Sequence, residues 1–208
     1  MNLYFFRCAL VGLCLATVTG VSPAQNAAAA AKAPPKVDLI LEDQFETKHN
    51  VTDYKGSVLI LVYGDRSGMD ASRELGSSLH VLFHPTAAGK TPKEARTAPV
   101  EALDGVAKDR ASPDVVVVPV ATATGVPGPI QGLIRKGMAK NAPETPVWLD
   151  FQGVMSEKFG LREGEPNIAL IDGNGCLRLK VNGKPNKETL QKVLQTAQNL
   201  RAEIAGLK

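Results

Sequence analysis

Cysteine is nearly missing from this chain: there are three in 208 residues, and two of them, Cys8 and Cys14, fall within the first fourteen positions. That scarcity excludes a disulfide framework and any cysteine-rich metal site. Aromatic residues are also few, at 5%. An excess of one charge is lacking too, since 24 Lys and Arg stand against 21 Asp and Glu, a net +3 spread along the sequence. So even a balance argues against a nucleic-acid partner, and Arg135, Lys136 and Lys140, with no aromatic residues among them, read as the solvated face of a helix. No internal repeat is visible. What is present, 44% hydrophobic and 22% charged residues, is the composition of an ordinary globular domain.

Residues 1–24, MNLYFFRCALVGLCLATVTGVSPA, place one cation, Arg7, before an apolar run from Cys8 to Val18, then small residues ending in Ser22-Pro23-Ala24. This is the order of a secretory signal peptide, cut before Gln25. The apolar run falls short of the ~20 residues a membrane span needs, so no span is expected in the mature chain. Cys14 raises a lipoprotein alternative, but Leu13 stands where that processing wants a small residue. Removal of residues 1–24 leaves 184 residues and one cysteine, Cys176. A single thiol can neither close an intramolecular disulfide nor run a two-cysteine redox cycle. Residues 25–36, QNAAAAAKAPPK, read as an Ala/Pro-rich flexible tether ended by Pro34-Pro35. The expected organisation is thus 1–24 signal peptide, 25–36 tether and 37–208 folded domain, with an exported, periplasmic or extracellular, location.

Within the domain, Val37 to Glu42 followed by the turn Asp43-Gln44-Phe45-Glu46 predicts a short opening hairpin or edge strand. Val58 to Tyr63 is six apolar residues in a row, the pattern of a strand buried on both faces. Gly64-Asp65-Arg66-Ser67-Gly68 breaks it, and a helix follows from Met69 to about Val81 with Leu75, Leu79 and Leu82 on one side. Residues 84–113, rich in Ala, Thr, Pro and Lys, read as a surface insertion with a short helix over Pro99 to Lys108. Asp114 to Val120 is a second buried strand. Pro127-Gly128-Pro129 opens a helix with Ile130, Leu133, Ile134 and Met138 at helical spacing. A short strand over Pro146 to Asp150, a helical turn over Val154 to Phe159, and a hairpin through Gly173-Asn174-Gly175 come next. The last helix is capped by Asn186 and turns Leu190, Val193, Leu194, Ala197, Leu200 and Ile204 inward.

Strand, helix, strand, helix, hairpin and closing helix is the order of the thioredoxin-like α/β fold, a central mixed sheet flanked by helices. DQFETKHNVTDYKGSVLILVYGD resembles the opening of the peroxiredoxin and redoxin families, and PVWLDFQGVMSEKFGLREGEPNIALIDGNGCLRLKVNG resembles their second half. The resemblance puts Glu165-Pro166 at the position of the proline that is cis in that fold. Gly64, Arg66 and Ser67, with Val126-Pro127-Gly128, also resemble the YtfJ family of small periplasmic thioredoxin-fold proteins, which implies a compartment more than a reaction.

The active-site turn of thioredoxins carries a Cys-x-x-Cys, because the helix N-terminus stabilises a thiolate. Ser67 and Asp70 fill those positions here, and the Thr-x-x-Cys of peroxiredoxins is absent as well. A serine hydroxyl is not redox-active, so thiol exchange at this turn is excluded. Two readings stay open. Asp65 or Ser67 caps the helix and Arg66 is a surface residue; or Asp65, Arg66, Ser67 and Asp70 bind a peptide, a protein or a small anion in a groove beside Pro166. A serine hydrolase is disfavoured, since no histidine is assigned to Ser67 and the turn is not a G-x-S-x-G elbow. Cys176 would point outward with Arg178 and Lys180, either as an incidental thiol or as one acidified by Arg178. His80 and His84 have zinc-pair spacing but no third ligand, His49 is isolated, and Trp148 reads as core. No cofactor and no metal is expected. The leading expectation is a non-redox binding or accessory module, and the alternative is an antioxidant or thiol oxidoreductase of the redoxin class using Cys176.

Overall fold

The structure, a computed structural model, describes residues 33–107 and 109–207. The expected signal peptide and most of the tether lie outside the described residues. Seven strands form one sheet. At its centre is β3 (Val58–Gly64), every residue of which is buried. It pairs in parallel with β4 (Val115–Thr122) and antiparallel with β6 (Asn167–Ile171). Beyond β4 lie β5 (Trp148–Asp150), β1 (Ile40–Asp43) and β2 (Lys48–Asn50), and beyond β6 lies β7 (Leu177–Asn182). This is the thioredoxin-like α/β arrangement, opened by the expected hairpin.

Because a strand alternates its side chains, β3 feeds two cores. Leu59, Leu61 and Tyr63 pack with Trp148 and with Met155 and Phe159 of α4 (Val154–Phe159). Val58, Ile60 and Val62 pack with Leu79 and Phe83 of α1 (Met69–Phe83), and with Val193, Ala197 and Leu200 of α5 (Lys187–Ala205). Each such aliphatic chain, fully buried, contributes about 1.5–3 kcal/mol. A smaller cluster of Ala121, Leu149 and Phe151 lies under α3 (Gly128–Asn141), which covers it with Ile134 and Met138.

Several expectations are corrected. Leu82 is 47% exposed, and the buried row of α1 is Ser72, Leu79 and Phe83 instead. In α3, Ile130 and Leu133 are 47% and 67% exposed, because the cluster beneath is too small to cover that side. The short helix of the insertion is α2 (Pro92–Arg96), not a helix from residue 99, since Thr91 and Glu94 form a capping box around Pro92. The last tether residues are already tied to the start of β7: Leu177 N–H donates to Pro35 O, and Lys36 forms an isolated bridge with Cys176. Finally, the β6–β7 register steps between Leu170 and Ile171. Arg178 is the extra residue of this bulge, so Leu177 packs in one core while Leu179 and Val181 pack in the other.

Candidate functional site

The turn Gly64 to Asp70 leaves the carboxyl end of β3 and delivers the chain to α1. Its geometry is set by Asp65, which accepts from Gly68 N–H at 2.8 Å and from Gly164 N–H at 3.0 Å. One carboxylate thus ties the turn to the loop of residues 162–166. Gly68 makes that approach possible, because a Cβ there would lie 2.8 Å from Glu165 O and 2.9 Å from Glu165 N. The first helical N–H groups of α1 lack intrahelical partners, and its N-cap, Gly68, supplies no side-chain bond. Arg66 and Ser67 are exposed beside that end, and neither has a hydrogen-bond or ion-pair partner among the described residues. The site therefore offers one guanidinium, one hydroxyl and the positive end of a helix dipole. Asp70 is occupied differently, paired with Arg73 in an exposed ion pair on α1.

The facing loop is held by Asn167, which is fully buried. Its Nδ2 donates to Glu165 O at 2.9 Å and Arg162 O at 3.2 Å, and its Oδ1 accepts from Arg162 N–H and Gly183 N–H. Glu165 adds Oε2 to Lys184 N–H, at 2.8 Å, and Oε1 to Arg162 Nε, at 3.0 Å. Beneath the turn, Tyr63 is buried and donates to Gly160 O at 2.7 Å; burial pushes its phenol above the ordinary range, so it stays neutral. Ser72 Oγ, also buried, finds no partner among the described residues and would sit 2.6 Å from a Cβ at Gly64.

Of the five expected binding residues, the structure gathers Asp65, Arg66, Ser67 and Pro166 around one junction and leaves Asp70 on the helix flank. Two details differ from expectation. Pro166 is buried, so its ring serves packing, and the Glu165–Pro166 bond is trans, as no peptide bond among the described residues is cis. The trans form is the ordinary preference of an X-Pro bond, and Asn167 satisfies the loop carbonyls as they stand. Sequence reasoning missed Asn167 and Gly68: the only signal for either was position, one beside a proline and one within a turn.

Cys176 is half-buried rather than pointing freely outward, with Lys36 bridged across it and its N–H bound to Asp172 Oδ1. The Arg178 guanidinium is committed to Asp172 and Glu203. Cys176 also stands at the far end of the sheet from the turn. Its neighbour Leu177 pairs with Ile171, which pairs with Leu59, five residues and about 17 Å along β3 from Gly64.

His49, isolated in sequence, bonds Asp43 Oδ2 at 2.9 Å and stacks on Trp148. His80 and His84 stack at 4.3 Å, but His80 turns Nε2 and His84 both ring nitrogens to backbone carbonyls, and no group of three metal-ligating side chains occurs among the described residues.

No family model matches this chain, and no curated protein does. Among solved structures it is similar to the pneumococcal exposed lipoprotein thioredoxin Etrx1 of Streptococcus pneumoniae, at 19% identity over 77% of this chain and 99% of that one, with a TM-score of 0.49. The N-terminal domain of PilB from Neisseria gonorrhoeae is similar at 18% identity, 81% and 93% coverage, and a TM-score of 0.48. A secreted thiol-disulfide isomerase of Corynebacterium glutamicum follows at 14%, 80% and 84%, and 0.47.

Proposed function

We propose that this is an exported thioredoxin-fold protein that works without thiol chemistry, as a binding or accessory module akin to small periplasmic proteins of the YtfJ kind. In this reading residues 1–24 are removed as a signal peptide, and the following Ala/Pro-rich stretch spaces the domain from its surroundings. The ligand is a carboxylate of a peptide or protein, or a small anion, taken between the Gly64 to Asp70 turn and the residue 162–166 loop. The observation that carries the reading is the pair Arg66 and Ser67, exposed and without a partner among the described residues beside an uncapped helix end, in a turn with no cysteine. Asp65 and Asn167 support it by holding the two walls in place, so a ligand would meet a preformed surface.

The test is a titration of the ¹⁵N-labelled domain with an acetylated tetra-alanine peptide bearing a free C-terminal carboxylate, and with its amide. The free acid should shift the amides of residues 66–71, the amide should not, and Arg66→Ala should abolish the response. Absence of any shift from the free acid overturns the site. Insulin-disulfide reduction and hydroperoxide consumption under a thiol reductant provide the second arm. Wild type and Cys176→Ser should both stay at background; activity lost in Cys176→Ser would replace this reading with a one-cysteine redox centre.

A further inference from the structure

The stretch 88–98 carries α2 across the end of α1, yet none of its residues is buried; Ala95 and Ala98 are half-buried and the rest exposed. Apolar burial therefore does little to hold this strap down. Polar contacts do it instead. Nε2 of His80 donates to Ala95 O at 2.9 Å, Nδ1 of His84 to Ala98 O at 3.0 Å, and Arg96 Nη1 to Glu144 O at 3.0 Å. On either side the chain is fixed independently, by buried Ala87 and by Glu101 N–H donating to Phe83 O at 2.7 Å.

His84 differs from an ordinary core histidine. Its ring is buried, and its second nitrogen, Nε2, lies 3.0 Å from Val115 O on β4 and 3.4 Å from Asp114 Oδ1. Carbonyl oxygens only accept, so contacts to Ala98 O and Val115 O require a hydrogen on each nitrogen, which is the imidazolium. A neutral ring has one N–H and turns a lone pair toward one of the two carbonyls.

We propose that His84 is a pH-sensitive clasp: doubly protonated it binds the 88–98 strap to the sheet, and on losing one ring proton as pH rises it releases the strap. The proton that leaves is the one on Nδ1, because Nε2 faces both Val115 O and the Asp114 carboxylate, which hold its hydrogen in place. The hydrogen bond that breaks is then the one to Ala98 O. The charged and titratable groups around the ring are few. From α1, His80 stacks on it; from the segment before β4, Asp114 stabilises the cation; from α5, buried Arg201 lies in the field of Asp114 and of Glu101 and opposes it. Burial holds His80 toward its neutral form.

The experiment uses the full chain and two NMR measurements from pH 6.5 to 9. Ring ¹⁵N spectra should show both His84 nitrogens protonated where the strap is docked. Amide protection factors of Ala95, Arg96 and Ala98, corrected for intrinsic exchange, should fall about tenfold or more as Nδ1 deprotonates, the factor expected for one hydrogen bond from a charged donor. Amides of Val193 to Leu200 on α5 should hold constant, and His84→Gln, which does not titrate, should give a flat profile. A His84 ring carrying a single proton with the strap docked overturns the proposal. So does protection that is flat in wild type, or that falls equally in His84→Gln. Should that variant fail to fold, the ring spectra and the wild-type profile decide between the same outcomes.

Discussion

Asn167 and Gly68 show how single positions hold the candidate site open. The Asn167 amide is fully buried and bonded through both its oxygen and its nitrogen, so truncation strands two N–H donors and several carbonyls at once. Asn167→Ala should cost about 2–4 kcal/mol in urea unfolding, at the upper end for a buried polar network. Gly68→Ala should cost about 1–3 kcal/mol by pushing backbone from backbone, since its Cβ would meet Glu165 O at 2.8 Å. In the same variant the amide resonances of residues 162–165 should move along with those of the turn. Asp65, by contrast, was expected only as a cap of α1, and it bonds the N–H of Gly68, the N-cap residue itself, and leaves the helical N–H groups uncapped. Its second bond, to Gly164 N–H, was not legible, because the two residues are brought together by folding alone.

The helices differ in how firmly each is held. A Cβ at Gly76 would lie 3.9 Å from Val62 Cβ, an ordinary van der Waals contact, so Gly76→Ala should raise stability by about 0.5–1 kcal/mol through helix propensity, read as a higher urea midpoint. A drop would mean that α1 sits closer to β3 than this spacing allows. In α3 no residue is fully buried and Leu133 is 67% exposed. Its amides should be the first of the long helices to exchange in native-state hydrogen exchange, ahead of those of α5, whose Val193, Ala197 and Leu200 are core. Periodicity predicts that α3 is a helix, but not how much of its apolar face finds a partner. The Thr91-Pro92-Lys93-Glu94 capping box that starts α2 is a local signal, but the composition of the insertion drew the expectation to residues 99–108 instead. The bulge at Arg178 leaves no local mark at all, since register belongs to the pairing of two strands.

For the molecule as a whole, acid sensitivity should follow from His80. Burial lowers its pKa below the ordinary 6.5, with the Ala95 carbonyl acting in the opposite sense. Below that ordinary value the unfolded chain takes up a proton that folded His80 resists, so stability should fall as pH drops from about 6.5 toward 5. Thermal unfolding of His80→Gln should show a shallower decline over the same interval, and an identical slope would assign the acid sensitivity to carboxylates instead. The sequence by itself determined the layering of this protein. The unbroken apolar run of Val58 to Tyr63 and the period of the closing helix dictate buried central strands under helices, because apolar patterning acts over neighbouring residues. It also determined that the turn after the first central strand carries no thiol. Only the tertiary structure decided that this turn is pinned to the residue 162–166 loop, that Cys176 stands at the opposite end of the sheet, and that His84 grips both the insertion and β4. Those facts depend on contacts between residues far apart in the chain, which exist only once the sheet has set its strand order and register.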